Sequence, residues 1–133
     1  PTGTPPNLII TNGNGRLFLQ TILPRTHNVE LFSGANLYTY GGNNYTPNQD
    51  RGQAPECRIE VSPTGHSEID YFLNILTATD SATLSVPQAV AEVSNAEVTV
   101  KLGETKLMFK TGIVGGFIEI SGNRIAFADK IVQ

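Results

Sequence analysis

The stretch GRLFLQTIL, residues 15–23, sets the expectation for the whole chain because its side chains alternate in character. Successive side chains of a β-strand point to opposite faces of the sheet, so this alternation predicts a strand. One face is predominantly apolar and carries Leu17, Leu19, Thr21 and Leu23. The other face is half apolar and carries Arg16, Phe18, Gln20 and Ile22. We therefore predict a strand that buries at least one face.

The same period of two recurs along the chain, and no window places apolar residues at convincing helical spacing. Further strands are predicted at NVELF (28–32), CRIEV (57–61), EIDYFLNILTA (68–78), AEVTVKL (96–102), TKLMFKT (105–111), GGFIEIS (115–121) and NRIAFAD (123–129). The turns between them supply Gly and Asn, which tolerate positive φ. VKLGETKLMF and EISGNRIAF are predicted to form hairpins, and in the second Glu119 and Arg124 are expected to pair on the more exposed face.

Two stretches allow finer predictions. IDYFLNIL, residues 69–76, has apolar side chains on both faces, so we predict a central strand with both faces partly covered. SVPQAVAEV, residues 85–93, fits a short helical turn because Pro87 suits a first helical position. It fits equally well a loop that enters a strand.

Many short strands with turns between them predict an all-β fold, namely a two-sheet antiparallel β-sandwich of about eight to ten strands. The 133 residues, at 14.3 kDa, suffice for one domain that buries a core without disulfides or metals. We predict a single β-sandwich domain over residues 7–133. PTGTPP, residues 1–6, is expected to be a linker or a frayed terminus.

Charge and hydropathy argue against nucleic acid and membranes as partners. The net charge is −3, whereas phosphate contacts require a surplus of Lys and Arg on one face. Residues 1–58 carry four Arg against three acidic residues, and the remainder carries five basic against nine acidic residues, so an anionic ligand should prefer the first half. No apolar run approaches the roughly 18 residues that span a bilayer. The start shows no signal peptide, so we expect either a cytoplasmic protein or a chain that begins after processing or inside a longer one.

The residues that could carry catalysis form no recognisable motif. His27 and His66 both lie in polar turn contexts, and we expect surface positions for them without a metal-ligand or catalytic role. Cys57 is expected to be a buried strand thiol rather than a nucleophile. Glu68 and Asp70 share a strand face, where a solvated pair is a more ordinary role than acid–base catalysis.

No metal site or cofactor is predicted, with one alternative left open. The segments NQD (48–50) and ATD (78–80) supply oxygen atoms of the kind that calcium prefers, although their spacing matches no defined calcium loop. A structural calcium ion is therefore the one alternative left open, and no other metal is expected.

Three stretches carry a resemblance to a known family: GRLFLQTILP (15–24), CRIEVSP (57–63) and EIDYFLNILTATD (68–80). In this order and with these intervals they resemble the C-terminal part of heparinase II/III-like polysaccharide lyases. The resemblance covers roughly residues 14–80, and it consists of strand patterns without catalytic motifs. It implies that this chain is the smaller terminal β-sandwich of a multidomain bacterial lyase that is extracellular or periplasmic.

What the resemblance implies about activity concerns the parent protein. The family cleaves uronic-acid-containing polysaccharides by β-elimination, using tyrosine and histidine from its toroid and central sheet domains, and no such motif is present here. We therefore expect no enzymatic activity and no catalytic residue in this chain. Its expected partners are the catalytic domains of the parent chain and an acidic polysaccharide such as alginate or a glycosaminoglycan. Two alternatives remain: an independent carbohydrate-binding module, or a structural or adhesive β-sandwich without a glycan ligand.

LYTYGGNNYTP, residues 37–47, is the stretch with the best chemistry for a sugar. Sugars stack on aromatic rings and present hydroxyls to amides, and guanidinium groups pair with uronate carboxylates. The candidate ligand-binding residues are Tyr38, Tyr40, Asn43, Asn44, Tyr45, Arg51 and Arg58. The alternative is a plain hairpin around a Gly-Asn turn, with Tyr45 packed across from Tyr38 and Tyr40. The absence of Trp and the acidic net charge count against a glycan site.

Overall fold

The computed structural model describes residues 7–48 and 52–127. Within them the chain forms twelve strands and one short 3-10 helix, so the predicted all-β fold is confirmed. The strands are β1 (Asn7–Asn12), β2 (Gly15–Leu23), β3 (His27–Ser33), β4 (Thr39–Tyr40), β5 (Asn43–Asn44), β6 (Cys57–Pro63), β7 (Leu73–Asp80), β8 (Val90–Val93), β9 (Glu97–Leu102), β10 (Thr105–Lys110), β11 (Gly116–Ile120) and β12 (Asn123–Ala126). The 3-10 helix spans Gly34–Asn36.

The described residues form two compact units. The first combines residues 7–22 with residues 73–127, and the second comprises residues 23–48 and 52–72. The prediction of a single domain over residues 7–133 stays a prediction. So does the linker at residues 1–6, which lies outside the described residues.

The first unit contains two sheets. One has three strands in the order β1-β2-β7, and the other has five in the order β12-β11-β10-β9-β8. Its core contains Phe18 and Ile22 of β2 together with Val98 and Val100 of β9, of which Val100 is fully buried. Both sheets contain antiparallel strand pairs, and both bury apolar side chains, as the two sheets of a β-sandwich do.

Both predicted hairpins of the first unit are confirmed. β9 pairs with β10 across Gly103 and Glu104, and β11 pairs with β12 across Ser121 and Gly122. In the second hairpin Glu119 lies directly opposite Arg124, and a carboxylate oxygen of Glu119 lies 2.8 Å from Arg124 Nη2.

The second unit contains two small antiparallel pairs. β3 pairs with β6 along their whole lengths, and β4 pairs with β5. On one face of the β3–β6 pair, Val29 lies opposite Val61 and Leu31 lies opposite Ile59. Leu37 is buried and lies between the 3-10 helix and the strand β4.

The prediction for EIDYFLNILTA is wrong in two respects. The strand β7 begins only at Leu73, and residues 68–72 lie outside any strand and are exposed. β7 also lies at the edge of its sheet, and the central strand is β2. The face of β7 that carries Leu76 was predicted to be partly covered. It is not, because Leu76 is 61% exposed and burial alternates along the strand.

Two other stretches are clarified by the structure. SVPQAVAEV is a loop that enters the strand β8, so the helical alternative is wrong. The strand β1 was not predicted, although its NLII segment is apolar, and it pairs with β2 across Gly13 and Asn14.

Candidate functional site

The stretch LYTYGGNNYTP forms a tight hairpin, as one of its two interpretations predicted. Thr39 and Tyr40 pair with Asn44 and Asn43 across a two-residue turn. Both turn residues, Gly41 and Gly42, have positive φ, at 55° and 81°. Two successive residues with positive φ define the turn type whose twist matches a two-stranded hairpin, and glycine adopts it without steric cost.

The register places the tyrosines on one face. Directly opposed residues of an antiparallel pair lie on the same face, and so do residues two apart along a strand. Tyr40 lies opposite Asn43, and the Tyr45 backbone N–H donates to the Tyr38 carbonyl at 2.9 Å, which brings Tyr45 opposite Tyr38. We call the surface formed by Tyr38, Tyr40, Asn43 and Tyr45 the tyrosine face.

The tyrosine face is accessible. Tyr40 is 67% exposed and Tyr45 is 62% exposed, whereas Tyr38 is half-buried. Tyr45 lies across from Tyr38, as the plain-hairpin interpretation predicts, but it is exposed rather than packed. Among the described residues, the Tyr40 and Tyr45 hydroxyl groups have no hydrogen-bond partner, so both can donate to or accept from a ligand.

The two asparagines have different roles. Asn44 lies on the opposite face of the hairpin, where its side-chain oxygen accepts hydrogen bonds from the Thr46 backbone N–H and the Thr46 hydroxyl. This local arrangement closes the turn after β5 and occupies Asn44. The Asn43 amide makes only a long contact of 3.5 Å with the Gly41 carbonyl. Of the pair, Asn43 is thus the residue free to contact a ligand on the tyrosine face.

Arg58 is committed to the protein itself. Its Nη2 donates to the Thr39 carbonyl at 2.8 Å and lies 3.0 Å from a carboxylate oxygen of Glu60. Its guanidinium carbon lies 4.7 Å from the centre of the Phe32 ring. Because Phe32 is the cross-strand partner of Arg58 and Thr39 belongs to β4, this side chain fastens the hairpin to the β3–β6 pair. Its predicted role as a ligand contact stays a prediction, and Arg51 lies outside the described residues.

The other polar residues considered for catalysis are dispersed. His66, Glu68 and Asp70 are exposed and lie outside any strand, so the expected strand-face pair of carboxylates is not formed. His27 is the first residue of β3 and is half-buried, rather than in a surface loop, because one ring nitrogen bonds the Pro24 carbonyl at 2.8 Å. Cys57 is half-buried at the first position of β6, so the predicted strand position is confirmed and full burial is not.

Of the oxygen-rich segments considered for calcium, ATD lies within the described residues. In residues 7–48 and 52–127 no three His, Cys, Asp or Glu side chains come together in a way that could hold a metal ion. One Asp80 oxygen accepts hydrogen bonds from the backbone N–H groups of Ala82 and Thr83, at 2.9 and 3.0 Å, and so caps a turn. Gln49 and Asp50 lie outside the described residues, and the calcium alternative stays a prediction.

No helix within the described part of the chain has the length and apolar character needed to cross a membrane. No protein-family model matches the chain, and no curated protein matches it. The class that the structure defines is therefore an all-β protein of antiparallel sheets, with an exposed aromatic hairpin as its best candidate site.

Proposed function

We propose that this chain is a noncatalytic accessory β-sandwich of a polysaccharide lyase of the heparinase II/III type, and that it binds acidic polysaccharide through the tyrosine face. The assignment to a lyase rests on the resemblance of residues 14–80 to that family. It places the parent protein outside the cell or in the periplasm, with its catalytic domains as neighbours of this chain.

The observation that supports glycan binding best is the pair of exposed tyrosines on one face of a hairpin that Arg58 holds against the β3–β6 pair. The C–H groups of a sugar ring can pack on the Tyr40 and Tyr45 rings, whose hydroxyls and the Asn43 amide are available to sugar hydroxyls. A rigid aromatic side chain loses little conformational entropy when it binds. Because Arg58 anchors β4 through the Thr39 carbonyl, the backbone that carries the rings is held in place before a ligand arrives.

The first test is affinity electrophoresis of the whole chain through gels that contain alginate, heparin, hyaluronan or a neutral glucan, at low and moderate salt. We expect an acidic polymer to retard the protein, and we expect it to retard the double variant Tyr40→Ala/Tyr45→Ala less than the unmodified chain. Each lost contact should cost about 1–2 kcal/mol, the usual range for an exposed aromatic at a binding surface.

Tyr71→Ala is the matched control, since Tyr71 is exposed and lies in the same compact unit but outside the hairpin. Retention of the Tyr71→Ala variant should equal that of the unmodified chain. If the double variant were retarded as strongly as the control, the tyrosine face would not be the site. If no polymer retarded the unmodified chain at either salt concentration, glycan binding would be wrong and a structural buttress would be favoured.

A further inference from the structure

A row of charged side chains crosses the outer face of the five-stranded sheet. Lys101, Lys106, Glu119 and Arg124 are successive cross-strand partners from β9 to β12. Direct partners lie on the same face, so the four side chains form one line across the sheet. The buried Val98 and Val100 alternate with this line along β9 and point to the other face. We call Lys101, Lys106 and Arg124 the cationic row.

The row concentrates positive charge in an otherwise acidic half of the chain. Residues 59–127 contain four basic residues, and three of them are in the cationic row. The nearest carboxylates are those of Glu119, within the row, and Glu92, which lies 4.0 Å from Lys101 Nζ. This cluster could not be predicted from the sequence, because its members are distant along the chain and only the strand register aligns them.

Lys101 and Lys106 repel each other. They are direct cross-strand partners, and like charges in that arrangement are destabilising. Glu92 offsets the repulsion only weakly, because its side chain is 78% exposed and that of Lys101 is 58% exposed. An anion placed between the two ammonium groups would remove the repulsion, so the arrangement favours an anionic ligand.

Arg124 is paired with Glu119, and part of its guanidinium stays accessible. Its Nε and Nη2 donate to one Glu119 oxygen at 3.0 and 2.8 Å, and its guanidinium carbon lies 3.9 Å from the centre of the Phe117 ring. The ammonium of Lys106 lies 5.7 Å from the same ring. These contacts fix the guanidinium while its Nη1 group stays without a partner among the described residues, and the side chain is 56% exposed.

We propose that the cationic row binds the carboxylate groups of an acidic polysaccharide. Neighbouring strands are about 4.8 Å apart, so the backbone positions of Lys101 and Lys106 are about 5 Å apart and that of Arg124 lies roughly 10 Å further along. Widely spaced carboxylates on a linear polymer fit this row. Duplex DNA carries one charge per about 1.7 Å, and Glu119, Glu92 and the net charge of −3 would repel so dense a polyanion.

This site shares its ligand class with the proposed function but not its residues. The cationic row belongs to the first compact unit, and the tyrosine face belongs to the second. Variants of the two sites therefore separate the two proposals. If variants of one site lose binding, variants of the other site still test that other site independently.

The test is an NMR titration of the whole chain with alginate hexasaccharide, with a short DNA duplex at the same concentration of charge as a second probe. We expect the backbone amide signals of β9, β10 and β12 to shift on adding the hexasaccharide at low salt. The variants Lys101→Gln and Lys106→Gln should each weaken binding roughly three- to tenfold. Because these substitutions remove a repulsion, neither variant should melt at a lower temperature than the unmodified chain.

Lys110→Gln is the matched control, since Lys110 lies on the same strand as Lys106 and is exposed, but it pairs with Glu97 outside the row. The proposal requires unchanged affinity in this control and in Tyr40→Ala/Tyr45→Ala measured at the same signals. Unchanged binding in Lys101→Gln and Lys106→Gln would overturn it, as would an equal loss in Lys110→Gln. Tighter binding of DNA than of the hexasaccharide would overturn the ligand class.

Discussion

Gly116 shows how a single residue fixes the geometry of the five-stranded sheet. It begins β11 with φ at +149°, a conformation that residues with side chains rarely adopt. A Cβ built at this position would lie 2.0 Å from the Met108 carbonyl oxygen and 2.9 Å from a carbon of the Phe127 ring. Phe127 in turn stacks on Phe109 with ring centres 5.6 Å apart. Only glycine lets β10 and the Phe127 ring approach this closely.

We expect Gly116→Ala to be strongly destabilising, by more than about 3 kcal/mol, because both the backbone and a packed ring obstruct the methyl group. Urea unfolding followed by circular dichroism gives the change in midpoint. Gly65→Ala is the control, since a Cβ there meets nothing within 4 Å. Equal midpoints for the two variants would show that the sheet can shift to accommodate a side chain at position 116.

At the scale of elements, the hairpin β4–β5 depends on a residue outside it. Two strands of two residues each are too short to be stable alone. Arg58 of β6 supplies the missing support through the Thr39 carbonyl, and its own position is fixed by Glu60 and Phe32. The tyrosine face is thus held by the β3–β6 pair and not by its own turn alone.

We expect Arg58→Lys to loosen the hairpin while leaving the positive charge in place. Lysine lacks the planar guanidinium group, whose Nη2 contacts both the Thr39 carbonyl and Glu60 while its central carbon lies over the Phe32 ring. The Tyr45 amide, which bonds the Tyr38 carbonyl, should then exchange with solvent about tenfold faster, a change of about 1.4 kcal/mol in local stability. Amide hydrogen exchange by NMR measures this directly.

Arg25→Lys provides the comparison for that experiment, because Arg25 is exposed and belongs to the same unit. Its Tyr45 amide should exchange at the rate of the unmodified chain. Unaltered exchange in Arg58→Lys would mean that the turn and the strand pairing suffice, and that Arg58 does not support the hairpin.

Elements with local patterns were predictable from the sequence, and those that depend on distant contacts were not. The hairpins at SGN and LGE follow from turn residues between alternating strands, and the pairing of Glu119 with Arg124 follows from their register. The edge position of β7 does not follow, because apolar residues on both faces are equally compatible with exposure of Leu76. Likewise, the tyrosine hairpin was predictable, whereas its attachment to Arg58 depends on a contact 19 residues away.

At the scale of the whole molecule, the chain leaves its first compact unit after residue 22 and returns to it at residue 73. The two candidate binding surfaces are divided accordingly, with aromatic rings in the second unit and the cationic row in the first. The first unit must therefore be held together by contacts between its two segments, which are distant in sequence. Gln20 makes such a contact, since it is 6% exposed and bonds Ala89 across 69 residues.

Gln20 bonds Ala89 in both directions. Its Nε2 donates to the Ala89 carbonyl and its Oε1 accepts from the Ala89 backbone N–H, both at 2.8 Å, where Ala89 is itself buried and leads into β8. Gln20→Leu preserves the approximate volume but leaves a buried donor and a buried acceptor unpaired. Each unpaired group costs about 1–3 kcal/mol, so we expect a total loss of about 2–6 kcal/mol in the free energy of unfolding.

Urea unfolding measures this loss, with Gln53→Leu as the control because Gln53 is exposed in the second unit. The control should unfold within about 0.5 kcal/mol of the unmodified chain. A further variant, Gln20→Glu, retains the acceptor but cannot donate to the Ala89 carbonyl when ionised, so it too should be destabilised. If Gln20→Leu unfolded at the same urea concentration as Gln53→Leu, apolar packing alone would close the unit, and the paired hydrogen bonds would add nothing to its stability.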